Sequence, residues 1–68
     1  MKVSRKGVAI EIEWNVNDPN DVKEAKEYYD NLTRQGWIAI VQKETLHRIL
    51  EFKKDEGRIL FLPMLEGG

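Results

Sequence analysis

The sequence predicts an α+β domain of two layers, one helix packed on a mostly antiparallel four-stranded sheet in the order β-α-β-β-β. Three observations lead there: apolar and polar residues alternate over 8–14, an apolar stripe recurs at spacings of three and four over 22–32, and short β-rich runs follow residue 36.

In the first strand, Val8, Ile10, Ile12 and Trp14 alternate with Ala9, Glu11 and Glu13, as expected when one face is buried. Asn15, Val16 and Asn17 turn the chain. Asp18 and Pro19 then open a helix, an acceptor side chain at the N-cap followed by a proline where no amide hydrogen is missed. Val22, Ala25, Tyr29 and Leu32 form its apolar stripe, with Tyr28 at the edge. Lys23 with Glu27, Lys26 with Asp30, and Asp30 with Arg34 are spaced as surface pairs. Gly36 is the natural terminator, which places the helix over 19–35.

The run Trp37, Ile38, Ala39, Ile40, Val41 is apolar on both faces and rich in β-branched residues, so it reads as an inner strand. A third strand over 46–52 puts Leu46, Arg48, Leu50 and Phe52 on one face and His47, Ile49 and Glu51 on the other. Lys54, Asp55, Glu56 and Gly57 turn the chain into a fourth strand, Arg58–Leu62, which Pro63 ends because it cannot donate to a ladder. The whole, 1–68, is a single domain with a tail over 63–68. A right-handed crossover joins strands one and two, and an antiparallel meander follows.

A chain of 68 residues buries only about 60% of the surface its unfolded form exposes, and domains of that size usually carry a staple. With no Cys and one His, neither a disulfide nor a zinc cluster can supply it. Self-association or tight packing is what remains. The formal net charge of -1 argues against a partner held through phosphates, so no nucleic acid is expected. No apolar run approaches the ~20 residues of a membrane span, and no signal-peptide core follows the N-terminal basic residues. We therefore expect a cytoplasmic protein with no membrane contact.

One helix covers one face of a sheet, yet strands two and four are apolar on both. Whichever parity meets the helix, large side chains remain outside, and a patch of several hundred Å² usually marks an interface. The expected interface is Ile38, Ile40, Ile49, Leu60 and Leu62. The opposite parity, Trp37, Ala39, Val41, Leu50, Phe52, Ile59 and Phe61, is then expected to meet Val22, Ala25, Tyr29 and Leu32.

Residues that could carry other chemistry read as structural. His47 has only Thr45 and Glu51 near it in sequence, in no catalytic spacing. Asp18, Asp21, Glu24 and Glu27 are caps and solvated pairs rather than a cation site. Arg48, Lys53, Lys54 and Arg58 could line a basic edge beside the stacking rings of Trp37 or Phe52, but Asp55 and Glu56 interrupt it. Neither an enzyme activity, a metal nor a cofactor is expected.

The C-terminus, Phe61, Leu62, Pro63, Met64, Leu65, Glu66, Gly67 and Gly68, resembles the tail of the sulfur carriers of molybdopterin and thiamine synthesis, which are β-grasp relatives of ubiquitin. The resemblance rests on Pro63, Gly67 and Gly68, with Met64 in place of a frequent second proline. It implies that Gly68 carries the acyl group through a narrow channel that only glycine's bare backbone can thread. It also implies a hairpin ahead of the helix, where the alternation offers the single strand 8–14. Over most of its length the chain is similar to short uncharacterised β-α-β-β proteins of phages and bacteria ending in Gly-Gly. That resemblance rests on Trp14, Asp18, Pro19, Asp21, Gly36, Trp37, Pro63, Gly67 and Gly68, and implies a fold and a viral or mobile-element origin.

The function expected from the sequence is a non-enzymatic interaction module that associates through an apolar sheet face, as a homodimer or with a protein partner. A Gly-Gly-tailed carrier or ubiquitin-like modifier is the alternative.

Overall fold

The alternation of residues 8–14 does form a strand, but it is the second of the fold. The computed structural model describes residues 1–64, which form β1 (Lys2–Lys6), β2 (Ala9–Glu13), α1 (Pro19–Arg34), β3 (Ile38–Gln42), β4 (Leu46–Ile49), a 3-10 turn (Lys54–Glu56) and β5 (Arg58–Leu62). The architecture is α+β, with one helix and a five-stranded sheet ordered β1-β2-β5-β3-β4, every neighbouring pair antiparallel.

Two expectations are corrected here. The expected four strands are five, because β1 precedes the alternation. It pairs with β2 from Lys2 opposite Glu13 to Lys6 opposite Ala9, leaving Gly7 and Val8 as a two-residue loop. Gly7 sits at φ 63 and, among the described residues, only glycines have positive φ, which fits a turn with glycine at its first central position. Val8, expected in the strand, is therefore a turn residue and 70% exposed. The expected meander is also absent: β5 inserts between β2 and β3 rather than continuing outside β4. Ile59, Leu60, Phe61 and Leu62 suit a strand flanked on both sides, whereas His47 and Arg48 suit an edge.

Helix α1 is held at both ends by the residues expected to do so. The Asp18 carboxylate accepts from the backbone N–H groups of Asn20 (3.0 Å) and Asp21 (3.4 Å). At the other end Gln35 is the cap, and Gly36 turns left-handed at φ 97. The N–H of Trp37 then donates to Leu32 O and that of Gly36 to Thr33 O, a Schellman closure. Asp18→Ala should cost about 1 kcal/mol of stability, read as a shift of the urea midpoint with an unchanged slope. A midpoint equal to wild type would mean the cap contributes nothing.

The core lies between α1 and one sheet face. Ile10, Ile12 and Trp14 of the β2 segment, Ile59 and Phe61 of β5, and Ala39 and Val41 of β3 meet Ala25, Tyr29 and Leu32. Phe61, Ile12 and Ile59 are fully enclosed. Trp14 ties the 3-10 turn to this core: its indole N–H donates to Lys54 O at 2.9 Å, its backbone N–H donates to Gly57 O at 3.0 Å, and its ring lies 5.2 Å from that of Phe52. Leu50 was expected in the core, but β4 ends at Ile49 and Leu50 is 83% exposed.

The N-terminus is clamped to the helix start. The Met1 ammonium donates to Asp21 Oδ1 at 2.7 Å and lies 3.5 Å from Glu24, while the Asn15 N–H donates to Asp21 Oδ2 at 2.9 Å. The Asn15 hydrogen bond and then the ammonium hold the Asp21 carboxyl below its ordinary value, and Asp21 raises the Met1 amine. Folded Asp21 thus binds a proton less readily than unfolded, so its contribution is present above about pH 4 and fades as pH falls through the lowered value. The amine's contribution is present below about pH 8 and fades as pH rises through the raised value. Asp21→Asn should flatten both flanks of stability against pH in low salt; superimposable wild-type and variant profiles would contradict the clamp.

Candidate functional site

Directly opposite residues of an antiparallel ladder point to the same face, so the pairing register assigns every strand residue a side. On the side away from α1, one row crosses the whole sheet: Ser4, Glu11, Leu60, Ile40 and Arg48, strand by strand from β1 to β4. Ile38 opposes Leu62 on the same side. These four apolar residues of the two inner strands, Ile38, Ile40, Leu60 and Leu62, adjoin one another and are each half-buried. No helix lies over them, because the only helix among the described residues packs on the other face.

Four of the five expected interface residues are thus brought together. The fifth, Ile49, is not: it opposes Ala39 and packs against the core on the helix side. Its expected place is taken by Arg48, opposite Ile40, and Leu46, opposite Gln42.

Charge flanks the apolar quartet unevenly. Toward β1 and β2, the largely buried Glu11 lies 3.4 Å from Lys6 Nζ and 3.9 Å from Arg58 Nε, and Arg58 Nη2 lies 3.8 Å from Glu13. Toward β4, the exposed Arg48 has no ion-pair partner among the described residues.

At the β4 edge of the sheet an open groove of about 630 Å³ runs along the C-terminal half of α1, bordered by Tyr29, Thr33, Trp37, Ile49 and Phe52 and also by Ile38 and Arg48 of the helix-free face. Tyr29 and Phe52 are engaged in the core: the Tyr29 ring packs at a tilt against Phe52, centroids 5.8 Å apart, and against Phe61, 6.2 Å apart. Burial pushes the Tyr29 phenol up. The charges nearby pair with each other, Lys26 with Asp30 at 2.8 Å and Lys53 with Glu51 at 2.7 Å.

The remaining sequence candidates are dispersed or engaged. His47 is exposed, its Nε2 2.9 Å from Thr45 Oγ1, and Glu51 bonds Lys53. Asp18 caps the helix and Asp21 holds Met1. Among the described residues no group of three or more His, Cys, Asp or Glu is placed to hold a metal ion. In the basic set, Lys53 serves Glu51 and Arg58 serves Glu11 and Glu13, so the set forms no shared surface. Phe52 is half-buried between Trp14 and Tyr29. Pro63 follows β5 directly and is half-buried, while Gly67 and Gly68 lie outside the described residues. Among the described residues no helix is long and apolar enough to cross a membrane. Comparison with protein-family models, curated proteins and solved structures finds no match to the chain.

Proposed function

We propose that this protein is a non-enzymatic interaction module that associates through the sheet face opposite α1. The observation that carries the reading is the grouping of Ile38, Ile40, Leu60 and Leu62 on the inner strands of that face. In a solvent-facing antiparallel sheet those positions are ordinarily polar. A dilution series followed by amide NMR tests it: shifts in β3 and β5 should move with concentration or with an added partner, and those of the outer helix positions Lys23 and Glu27 should not. Shifts confined to the groove beside Trp37 would place binding elsewhere.

A second reading, the Gly-Gly carrier or modifier, is supported by the hairpin β1-β2 ahead of the helix and by the position of Pro63 directly after the central strand β5. Incubation with ATP and cell extract, followed by mass spectrometry, should then show an adenylate, thiocarboxylate or conjugate at Gly68. An unmodified terminus rejects it.

A further inference from the structure

We propose that β4 receives an added strand, an extended segment of another protein that alternates apolar with acidic residues and lies along the groove beside α1. The surface is an edge of the sheet, so the inference is independent of association through the helix-free face. The sheet ends in β1 on one side and β4 on the other. Lys2, Arg5 and Lys6 give β1 the charge that discourages further pairing. β4 carries no such run: it ladders with β3 alone, and among the described residues no other backbone hydrogen bond reaches it. Its outer N–H and C=O groups are therefore available to another strand, and the exposed Leu46 and Leu50 flank them.

The surroundings of β4 dictate which side chains that strand carries. Opposite residues of a ladder share a side, so a residue facing His47 or Ile49 across the new pairing points to the helix side, over the groove, and one facing Arg48 points to the helix-free side. The half-buried Trp37, Ile49 and Phe52 and the exposed Leu50 border the groove and offer it apolar contact. Among the charged residues there, Lys26 pairs with Asp30 at 2.8 Å and Glu51 with Lys53 at 2.7 Å, while Arg48 has no ion-pair partner among the described residues. An acid opposite Arg48 completes a cross-strand ion pair, and the apolar residues before and after it fill the groove. Strand addition draws its affinity from main-chain hydrogen bonds, so it does not depend on a broad flat contact.

The probe is a short capped peptide alternating valine with glutamate, titrated into the full chain and followed by amide NMR and hydrogen exchange. Shifts should centre on Leu46–Ile49 and the Trp37 indole, and exchange of alternate β4 amides should slow, as a new ladder requires. The same peptide with lysine in place of glutamate should bind about fivefold or more weakly, and Arg48→Glu, an exposed position that leaves the fold intact, should reverse that preference. Methylating the backbone nitrogens of every second peptide residue blocks one of its edges, so at least one of the two phases should lose binding. Equal binding of both methylated phases overturns strand addition, and equal binding of the glutamate and lysine peptides overturns the acidic partner. Shifts centred on Ile40 and Leu60 overturn the edge site and leave the helix-free face standing, whereas a β4 response without any effect at Ile40 and Leu60 supports the edge whatever becomes of that face. Protection of the β4 amides that grows with protein concentration in the absence of peptide assigns the edge to a second copy, and protection lost on removing residues 65–68 assigns it to the chain's own end; either result overturns the proposal, as does a β4 that responds to no peptide.

Discussion

Phe61→Ala is expected to leave the chain largely unfolded at 25 °C. Phe61 is fully enclosed at the centre of the sheet, with its ring 6.2 Å from Tyr29 and 6.3 Å from Tyr28. Truncating a buried phenylalanine costs about 3–5 kcal/mol, in lost transfer energy and in the cavity left behind. A domain of 68 residues has roughly 3–10 kcal/mol to lose at about 0.05–0.15 kcal/mol per residue. Neighbours can collapse only partly into the gap, because Ile12 and Ile59 beside it are themselves fully enclosed. Far-UV circular dichroism with urea titration reads the effect; a midpoint close to wild type would mean that this core is not the one that holds the fold.

Ile40→Lys should do the reverse, leaving the fold intact and removing association. The side chain is half-buried on the helix-free face, where a lysine stem can lie along Leu60 and keep its ammonium in water. Folding stability should therefore change by less than about 1 kcal/mol. In an assembly the same ammonium is desolvated without a partner, and the lost burial is worth about 1.5–3 kcal/mol for each copy. Counted over two symmetric copies, the dissociation constant should rise by about a hundredfold or more. Ile12→Lys is the contrast: it puts the same group into the enclosed core, and it should unfold the chain. If Ile40→Lys unfolds and Ile12→Lys does not, the two faces have been assigned in reverse.

The parts of this fold that were readable in the sequence are those set by local chemistry. Asp18, Pro19 and Gly36 delimit the helix through backbone hydrogen bonding within a few residues, and the stripe Val22, Ala25, Tyr29, Leu32 names its inner side. Strand β1 was not legible because Val3 is its single apolar residue; Lys2, Arg5 and Lys6 give it the composition of an N-terminal tail. Those lysines suit an edge strand, where charge discourages pairing with other sheets. The order of strands depends on which runs tolerate burial on both sides, and the two-faced character of Ile59, Leu60, Phe61 and Leu62 is the signal that could have placed β5 in the middle.

At the candidate face, parity within β3 and β5 sorted Ile38, Ile40, Leu60 and Leu62 correctly onto one side, because alternation along a strand needs only the sequence. Ile49 went to the wrong side because relative parity between strands is set by the loop that joins them. Gln42 opposes Leu46, so the hairpin loop is Lys43, Glu44 and Thr45, and an odd loop pairs even residues with even ones. That places Arg48, not Ile49, beside Ile40, and the row from Ser4 to Arg48 emerges only once this register is known.

Sedimentation equilibrium of the wild-type chain against Ile40→Lys, from about 10 to 500 µM, tests the interaction face most directly over the range expected for a small interface. The wild-type mass should climb from 8.0 kDa towards twice that value while the variant holds at 8.0 kDa. Two superimposable curves, whether both flat or both rising, would contradict self-association through the helix-free face.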